Sequence, residues 1–286
     1  MEVIRFISDG HEMQGVWFEP TPGSRPGMTN TSAVILCHGA FEDHQNWSTY
    51  AERLAGQGFA TLALDFVGHG ESQGLRGLVG MKPWAYNIRE AMNELGRRGY
   101  RHFALVGWNL GGSAVLLTAA HDQRLACVVV LSAPIRILPG LGERAAYTLA
   151  AAASKVLRLI RKRPLTFSRL DEYTRRRFAV NDSADSAYKN NPQLREILRA
   201  VPFPESLDSV WVDISAAIPK IKAPVLVIHG GCDTILPVQQ SKTLYTLLPG
   251  VKKLVLVDDS GHALHLDQKK DEVYVAIASW IKHYLG

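Results

Sequence analysis

The feature that most constrains this chain is a recurring alternation of short apolar runs, glycine-containing loops and helical periods. The runs are AVILC (33–37), FATLAL (59–64), HFALVG (102–107), ACVVVLS (126–132), PVLVIHG (224–230) and KLVLVD (253–258). They are rich in Val and Leu and do not alternate with polar residues. A strand with one face in water reads apolar–polar with period two, so these runs read as parallel strands covered on both faces. Helical periods at about 44–56, 83–97, 110–121 and 237–248 lie between them, as parallel neighbours require for right-handed crossovers, and another at 270–284 follows the last run. An opening hairpin, VIRFI (3–7) and MQGVWF (13–18) around Ser8-Asp9-Gly10-His11, completes the set, ahead of a Pro/Gly/Ser-rich loop at 20–32. The expected fold class is α/β: an eight-stranded, mostly parallel sheet with helices on both faces.

The rhythm breaks between Ile135 and Lys222. The segment shows no convincing buried strand, but it has helical periods at 143–162 and 168–179 and a high density of arginine. The expected organisation is a core of residues 1–134 and 223–286, with 135–222 inserted as a helical cap. Residues 145–160 are mostly apolar, interrupted by Ser154, Lys155 and Arg158. They read either as a helix packed on the body, its basic end complementing the helix dipole, or as a surface that meets lipid or a lipid-like substrate. An apolar pocket is expected between the cap and the sheet.

Composition narrows the class. Among 286 residues, 47% are hydrophobic and 21% charged, values of a folded chain with a sizeable core. The excess of 32 basic over 27 acidic residues is small and dispersed, so no nucleic-acid partner is expected. No apolar run approaches the roughly 18–20 residues of a membrane-spanning helix, and MEVIRFISDG lacks a signal-peptide core. Cys37, Cys127 and Cys232 are odd in number and sit in or beside apolar runs, so they read as buried free thiols of a cytoplasmic protein.

The chemistry concentrates in HFALVGWNLGGSAVLL (102–117). A buried strand ends in Gly107-Trp108-Asn109-Leu110-Gly111-Gly112 and passes directly into a helix, the context of a G-x-S-x-G nucleophile elbow. The central residue is Asn109. Asp233, in GGCDTILP, and His262, in DDSGHAL, follow at the carboxyl ends of two later strands. Elbow, acid and histidine in that order form the hydrolase sequence in which the acid fixes the tautomer of the base. Asp258 and Asp259 are weaker candidates for the acid. His38-Gly39-Ala40 ends an early strand, and the backbone N–H groups of Ala40 and Leu110 are expected to form an oxyanion hole. Asp65-Phe66-Val67-Gly68-His69-Gly70 reads as scaffold. His38, His44 and His69 lack metal-site spacing, and GWNLGG is not a dinucleotide fingerprint, so no metal or cofactor is expected.

These segments together resemble the α/β-hydrolases of the monoacylglycerol lipase, lysophospholipase and cinnamoyl-esterase group. HGAFEDH (38–44) resembles their His-Gly oxyanion segment and DFVGHGESQG (65–74) their D-x-x-G-H-G-x-S loop. GWNLGG resembles their G-x-S-x-G-G elbow except at its centre, and HGGCDTILP and SGHAL resemble their acid and histidine segments. The resemblance implies a small-molecule substrate, an ester with an apolar acyl or aryl group.

Asn109 departs from the pattern. A carboxamide nitrogen has its lone pair delocalised and is a poor nucleophile, so the acyl-enzyme route through residue 109 is expected to be lost or strongly weakened. Three readings of this position stay open. The chain is an ester hydrolase with a changed nucleophile; it is a non-hydrolytic or ligand-binding relative; or Asn109 is the neutral isostere of an aspartate nucleophile, as in haloalkane dehalogenases and epoxide hydrolases. Leu110 after the elbow and Ala40-Phe41 after the His-Gly turn differ from the patterns of those last two groups.

Overall fold

Residues 33–37 are at most 1% exposed, which requires cover on both faces of the strand that holds them. The computed structural model describes residues 1–22, 31–161, 165–167 and 199–286, and it supplies that cover. Eight strands form one sheet: β1 (Glu2–Ser8), β2 (His11–Phe18), β3 (Ser32–Cys37), β4 (Ala60–Leu64), β5 (His102–Trp108), β6 (Leu125–Leu131), and the last two of the chain. Their order across the sheet is β1-β2-β4-β3-β5-β6, followed by those last two. The hairpin pairs antiparallel, β2 meets β4 antiparallel, and every later pairing is parallel. The expected α/β sheet is present, with strand ends within one residue or so of the apolar runs.

Crossover helices divide between the faces. α1 (Ser48–Gly56) contributes Tyr50, Ala51 and Leu54 to one apolar layer. α2 (Met81–Arg97) and α3 (Asn109–Ala119) pack on the other face through Trp84, Ile88, Ala114 and Val115. α3 is apolar all round, as befits a helix buried between sheet and neighbour.

The segment after β6 holds more β structure than its sequence suggests. Two short pairs form, β7 (Arg136–Ile137) with β10 (Val212–Asp213), and β8 (Leu165–Phe167) with β9 (Val201–Phe203). Val201 is fully buried, which corrects the expectation of no buried strand here. Strands of two or three residues are too short to show a period. α4 (Leu141–Arg161) matches the first expected helix of this segment. Leu141, Leu149 and Val156 recur along it and are exposed, while Ser154 is buried and donates to the Phe203 carbonyl (3.0 Å). The expected helix at 168–179 lies outside the described residues.

The sheet resumes with β11 (Val225–Gly230) and β12 (Lys252–Val257), each followed by a helix, α5 (Gln239–Leu247) and α6 (Lys270–Leu285). α5 joins the layer of α2 and α3 through Leu244, and α6 joins that of α1 through Ile277 and Ile281. The three cysteines are free. Cys37 and Cys127 are buried, and burial pushes the Cys127 thiol up to about 12. Cys232 is exposed, contrary to expectation, because it sits beyond the end of β11. No helix among the described residues is long and apolar enough to cross a membrane.

At the carboxyl edge of the sheet, the loop after β3 presses against the start of α3. A Cβ on Gly111 would stand 2.0 Å from the His38 carbonyl oxygen, and one on Gly39 would stand 2.3 Å from the Trp108 ring. Neither clash relieves itself by rotating a flexible side chain. Gly111→Ala should therefore destabilise the fold by about 1–3 kcal/mol, the usual cost of overpacking. Gly56→Ala, where nothing lies within 4 Å, should be neutral or mildly stabilising. Urea unfolding of the two variants checks this; equal midpoints would show that the loop gives way freely.

Candidate active site

β5 delivers Trp108 in extended geometry, and the next residue opens α3. The reversal forces Asn109 to φ 51°, a left-handed conformation that asparagine tolerates better than most residues. Its side chain stands over the carboxyl edge of the sheet, towards the loops that follow β11 and β12.

Those loops carry the other two expected residues. His262 Nδ1 lies 2.7 Å from Asp233 Oδ2, and both side chains are fully buried. A carboxylate only accepts, so Nδ1 carries the proton and Nε2 presents its lone pair. Asn109 Nδ2 sits 2.6 Å from that Nε2 and donates to it. Asn109 Oδ1 in turn accepts from the Leu110 N–H at 2.7 Å. Turning the amide over would set oxygen against the Nε2 lone pair and NH₂ against the Leu110 N–H, so both contacts fix its orientation. The three expected side chains are thus in one line, and the carboxylate that meets the imidazole is Asp233.

Asp233 is held in turn by its own loop. Its Oδ1 accepts from the Ile235 (2.9 Å) and Leu236 (2.8 Å) N–H groups. Burial works to raise its pKa, but the hydrogen bond and charge of His262, the Leu236 N–H and His229 hold it below the usual carboxylate range. His229 was not singled out in the sequence. From the penultimate position of β11 it donates through Nε2 to the Leu236 carbonyl (3.0 Å), accepts from Ser241 Oγ at Nδ1 (2.8 Å), and lies 3.4 Å from Asp233 Oδ2.

Two further residues fix the His262 loop. Trp108 Nε1 donates to the His262 carbonyl (2.7 Å). Buried Asp267 accepts from the Gly261 N–H (2.7 Å) and from Ser260 Oγ (3.1 Å). Behind them, buried His265 stacks on Trp47 at 4.6 Å and lies 3.3 Å from the Glu42 carboxylate. Only Trp108 had a local cue, as the residue between elbow glycine and elbow centre.

The loop with Ala40 lies against the elbow, since a Cβ on Gly39 would fall 3.1 Å from Asn109 Cβ. Phe41 takes φ 67°, a conformation rare for a bulky residue and sustained only by its surroundings. One support is the Phe41 N–H to His69 Nε2 contact at 3.4 Å. Asp65 works as scaffold, accepting from His44 N (2.8 Å), His44 Nδ1 (2.8 Å) and Glu71 N (2.9 Å). His38 donates from Nδ1 to the Gly39 carbonyl (2.6 Å) and accepts from Phe66 N at Nε2 (3.1 Å). Among the described residues, no group of three or more His, Cys, Asp or Glu side chains is placed to hold a metal ion. Of the apolar pocket expected above Asn109, the sheet side is described; residues 162–164 and 168–198 lie outside the described residues.

Residues 29–269 match the family described as serine aminopeptidase, S33. The chain belongs to that family of hydrolases. It is 25% identical over 272 residues to the mouse (Mus musculus) monoglyceride lipase, covering 92% of this chain and 86% of the lipase. It is 27% identical over 255 residues to the pimeloyl-[acyl-carrier protein] methyl ester esterase of Aromatoleum aromaticum, covering 85% and 95%. The crystal structure of the Paleococcus ferrophilus monoacylglycerol lipase superposes with a TM-score of 0.71 at 24% identity, over 99% of this chain and 100% of that one. The fold is the α/β-hydrolase fold, and the scaffold is esterase- and lipase-like.

The buried histidines make stability depend on pH. Burial lowers the pKa of His38 and His229 and takes that of His69 well below the ordinary value, in the last case with help from the charge of His38. As pH falls below about 6.5, the unfolded chain binds protons at these positions and the folded chain does not, so stability falls. His44 acts oppositely: burial depresses it, but the hydrogen bond and charge of Asp65 prevail and raise it, so its contribution is lost as pH rises through the folded value. Three groups against one give a net loss, and the urea midpoint should drop between about pH 7 and pH 5. A midpoint that holds or rises over this range would contradict the assignment.

Proposed function

We propose that this chain carries the site of a carboxylic-ester hydrolase in which Asn109 occupies the nucleophile's position. Asp233 orients and supports His262, His262 is the base, and the N–H groups of Leu110 and Ala40 are the oxyanion donors. The observation that carries the reading is the double engagement of the carboxamide: Nδ2 on His262 Nε2 and Oδ1 on the Leu110 N–H. Both contacts are ones a serine hydrolase keeps for its hydroxyl and its developing oxyanion. Residue 109 therefore occupies the base and one oxyanion donor while offering no atom that attacks a carbonyl.

The relatives named for monoglycerides and a methyl ester support an ester substrate with an apolar acyl or aryl group. Residues 135–222 are proposed to cover the site as a cap and to set its specificity. The free thiols of Cys37, Cys127 and Cys232 support a reducing compartment, and so the cytoplasm.

Asn109→Ser restores a hydroxyl where Nδ2 now donates and frees the Leu110 N–H. Its kcat/KM on a short aryl ester should exceed that of the unmodified chain by on the order of 10³-fold or more, and His262→Ala on that background should remove the gain. A fluorophosphonate probe should label Asn109→Ser at residue 109 and leave the unmodified chain unlabelled there. If Asn109→Ser is inert while Asn109→Asp turns over haloalkanes or epoxides, the ester reading is wrong.

A further inference from the structure

The carboxamide of Asn109 is itself an acyl compound lying in a hydrolytic site. Its carbonyl oxygen rests on the Leu110 N–H at 2.7 Å and its nitrogen on the imidazole of His262 at 2.6 Å. These are the two contacts an amide substrate needs: a donor where the oxyanion develops, and a base able to return a proton to the leaving nitrogen. The Leu110 N–H also belongs to the first turn of α3, where the helix dipole favours negative charge. Asn109 is half-buried, so solvent reaches it, whereas His262 and Asp233 are fully buried.

We propose that this site hydrolyses the side chain of Asn109, with water as co-reactant, so that the chain converts itself to the aspartate form. The Nδ2–H to Nε2 hydrogen bond first gives way, freeing the one lone pair of Nε2; water oxygen then forms a bond to Cγ while its proton passes to His262 Nε2. The negative charge gathers on Oδ1 against the Leu110 N–H. His262 then gives its proton to Nδ2, the Cγ–Nδ2 bond breaks with its electron pair on nitrogen, and ammonia leaves. The new carboxyl group gives up its proton to ammonia, leaving a carboxylate and ammonium. Nothing is oxidised or reduced. The common alternative, ring closure by the next backbone nitrogen, is opposed here because the Leu110 nitrogen is fixed in a helical turn with its N–H on Oδ1. A carboxylate at this position is a nucleophile, which the amide is not.

The inference rests on the same base and N–H donor as the ester reading, but its readout is mass, independent of any ester. The freshly purified full chain is held near neutral pH in heavy-oxygen water, digested and mapped over days. The expected result is conversion at residue 109 to normal aspartate, with one heavy oxygen incorporated, ahead of Asn46 and Asn93 in the same digest. His262→Ala and His262→Gln, each checked for an intact thermal transition, should slow the conversion by on the order of 10²-fold. No conversion at 109, conversion to isoaspartate, or an unchanged rate in a folded His262 variant overturns the proposal. If Asn109→Ser hydrolyses esters while the unmodified chain keeps its amide, self-hydrolysis fails and the ester reading stands. If conversion occurs while Asn109→Ser is inert on esters, the reverse holds.

Discussion

The closeness of two backbones at the carboxyl edge of the sheet governs this site. The His38 carbonyl comes so near Gly111 that no side chain fits at that position. This contact sets the His-Gly turn against the first turn of α3, and with it the spacing between the Ala40 loop and the Leu110 N–H. It also fixes where residue 109 points, because a strand that runs directly into a helix has few directions in which to turn. The left-handed φ of Asn109 follows from that approach. The same edge receives the loops of β11 and β12, so parallel strand direction brings Asp233 and His262 towards the elbow.

From there, order is passed along by hydrogen bonds. Ile235 and Leu236 N–H groups aim Asp233, Asp233 aims His262, and His262 meets the amide. Trp108 closes the circuit by joining the elbow to the His262 carbonyl. Each link desolvates a polar group that would be costly alone, so the set is stable only when complete. His229 belongs to it as well, since it secures the Leu236 carbonyl in the turn that holds Asp233.

Legibility in the sequence followed the range of the interactions. The core strands were legible because burial on both faces leaves no polar alternation, and the elbow because its glycines lie within a few residues of the bend. Asp233 and His262 were legible through chain order and strand ends, although their contact spans many residues. The β7–β10 and β8–β9 pairs were not legible, being too short for any period. His229 and Asp267 act through partners fixed only by the folded chain, and nothing in their immediate neighbours announces it, whereas Trp108 had the cue of its place in the elbow. Cys232 misled because a residue beside an apolar run is not thereby inside the core. The engagement of Asn109 Oδ1 by the Leu110 N–H is a matter of side-chain rotamer, which no sequence pattern encodes.

The direction of the hydrogen bonds separates the readings of residue 109. From Asp233 outward, the carboxylate accepts, Nδ1 donates, Nε2 accepts and residue 109 donates. Serine donates its hydroxyl in the same sense, and the asparagine amide does so through Nδ2. A serine hydroxyl at residue 109 would therefore leave the order of donors and acceptors around His262 unchanged. An aspartate at 109 can only accept, so Nε2 would have to carry a second proton and the imidazole would become a cation between two carboxylates. Exchange of one amide for one carboxylate would thus reverse the polarity of the outermost hydrogen bond and change the charge of the imidazole it meets.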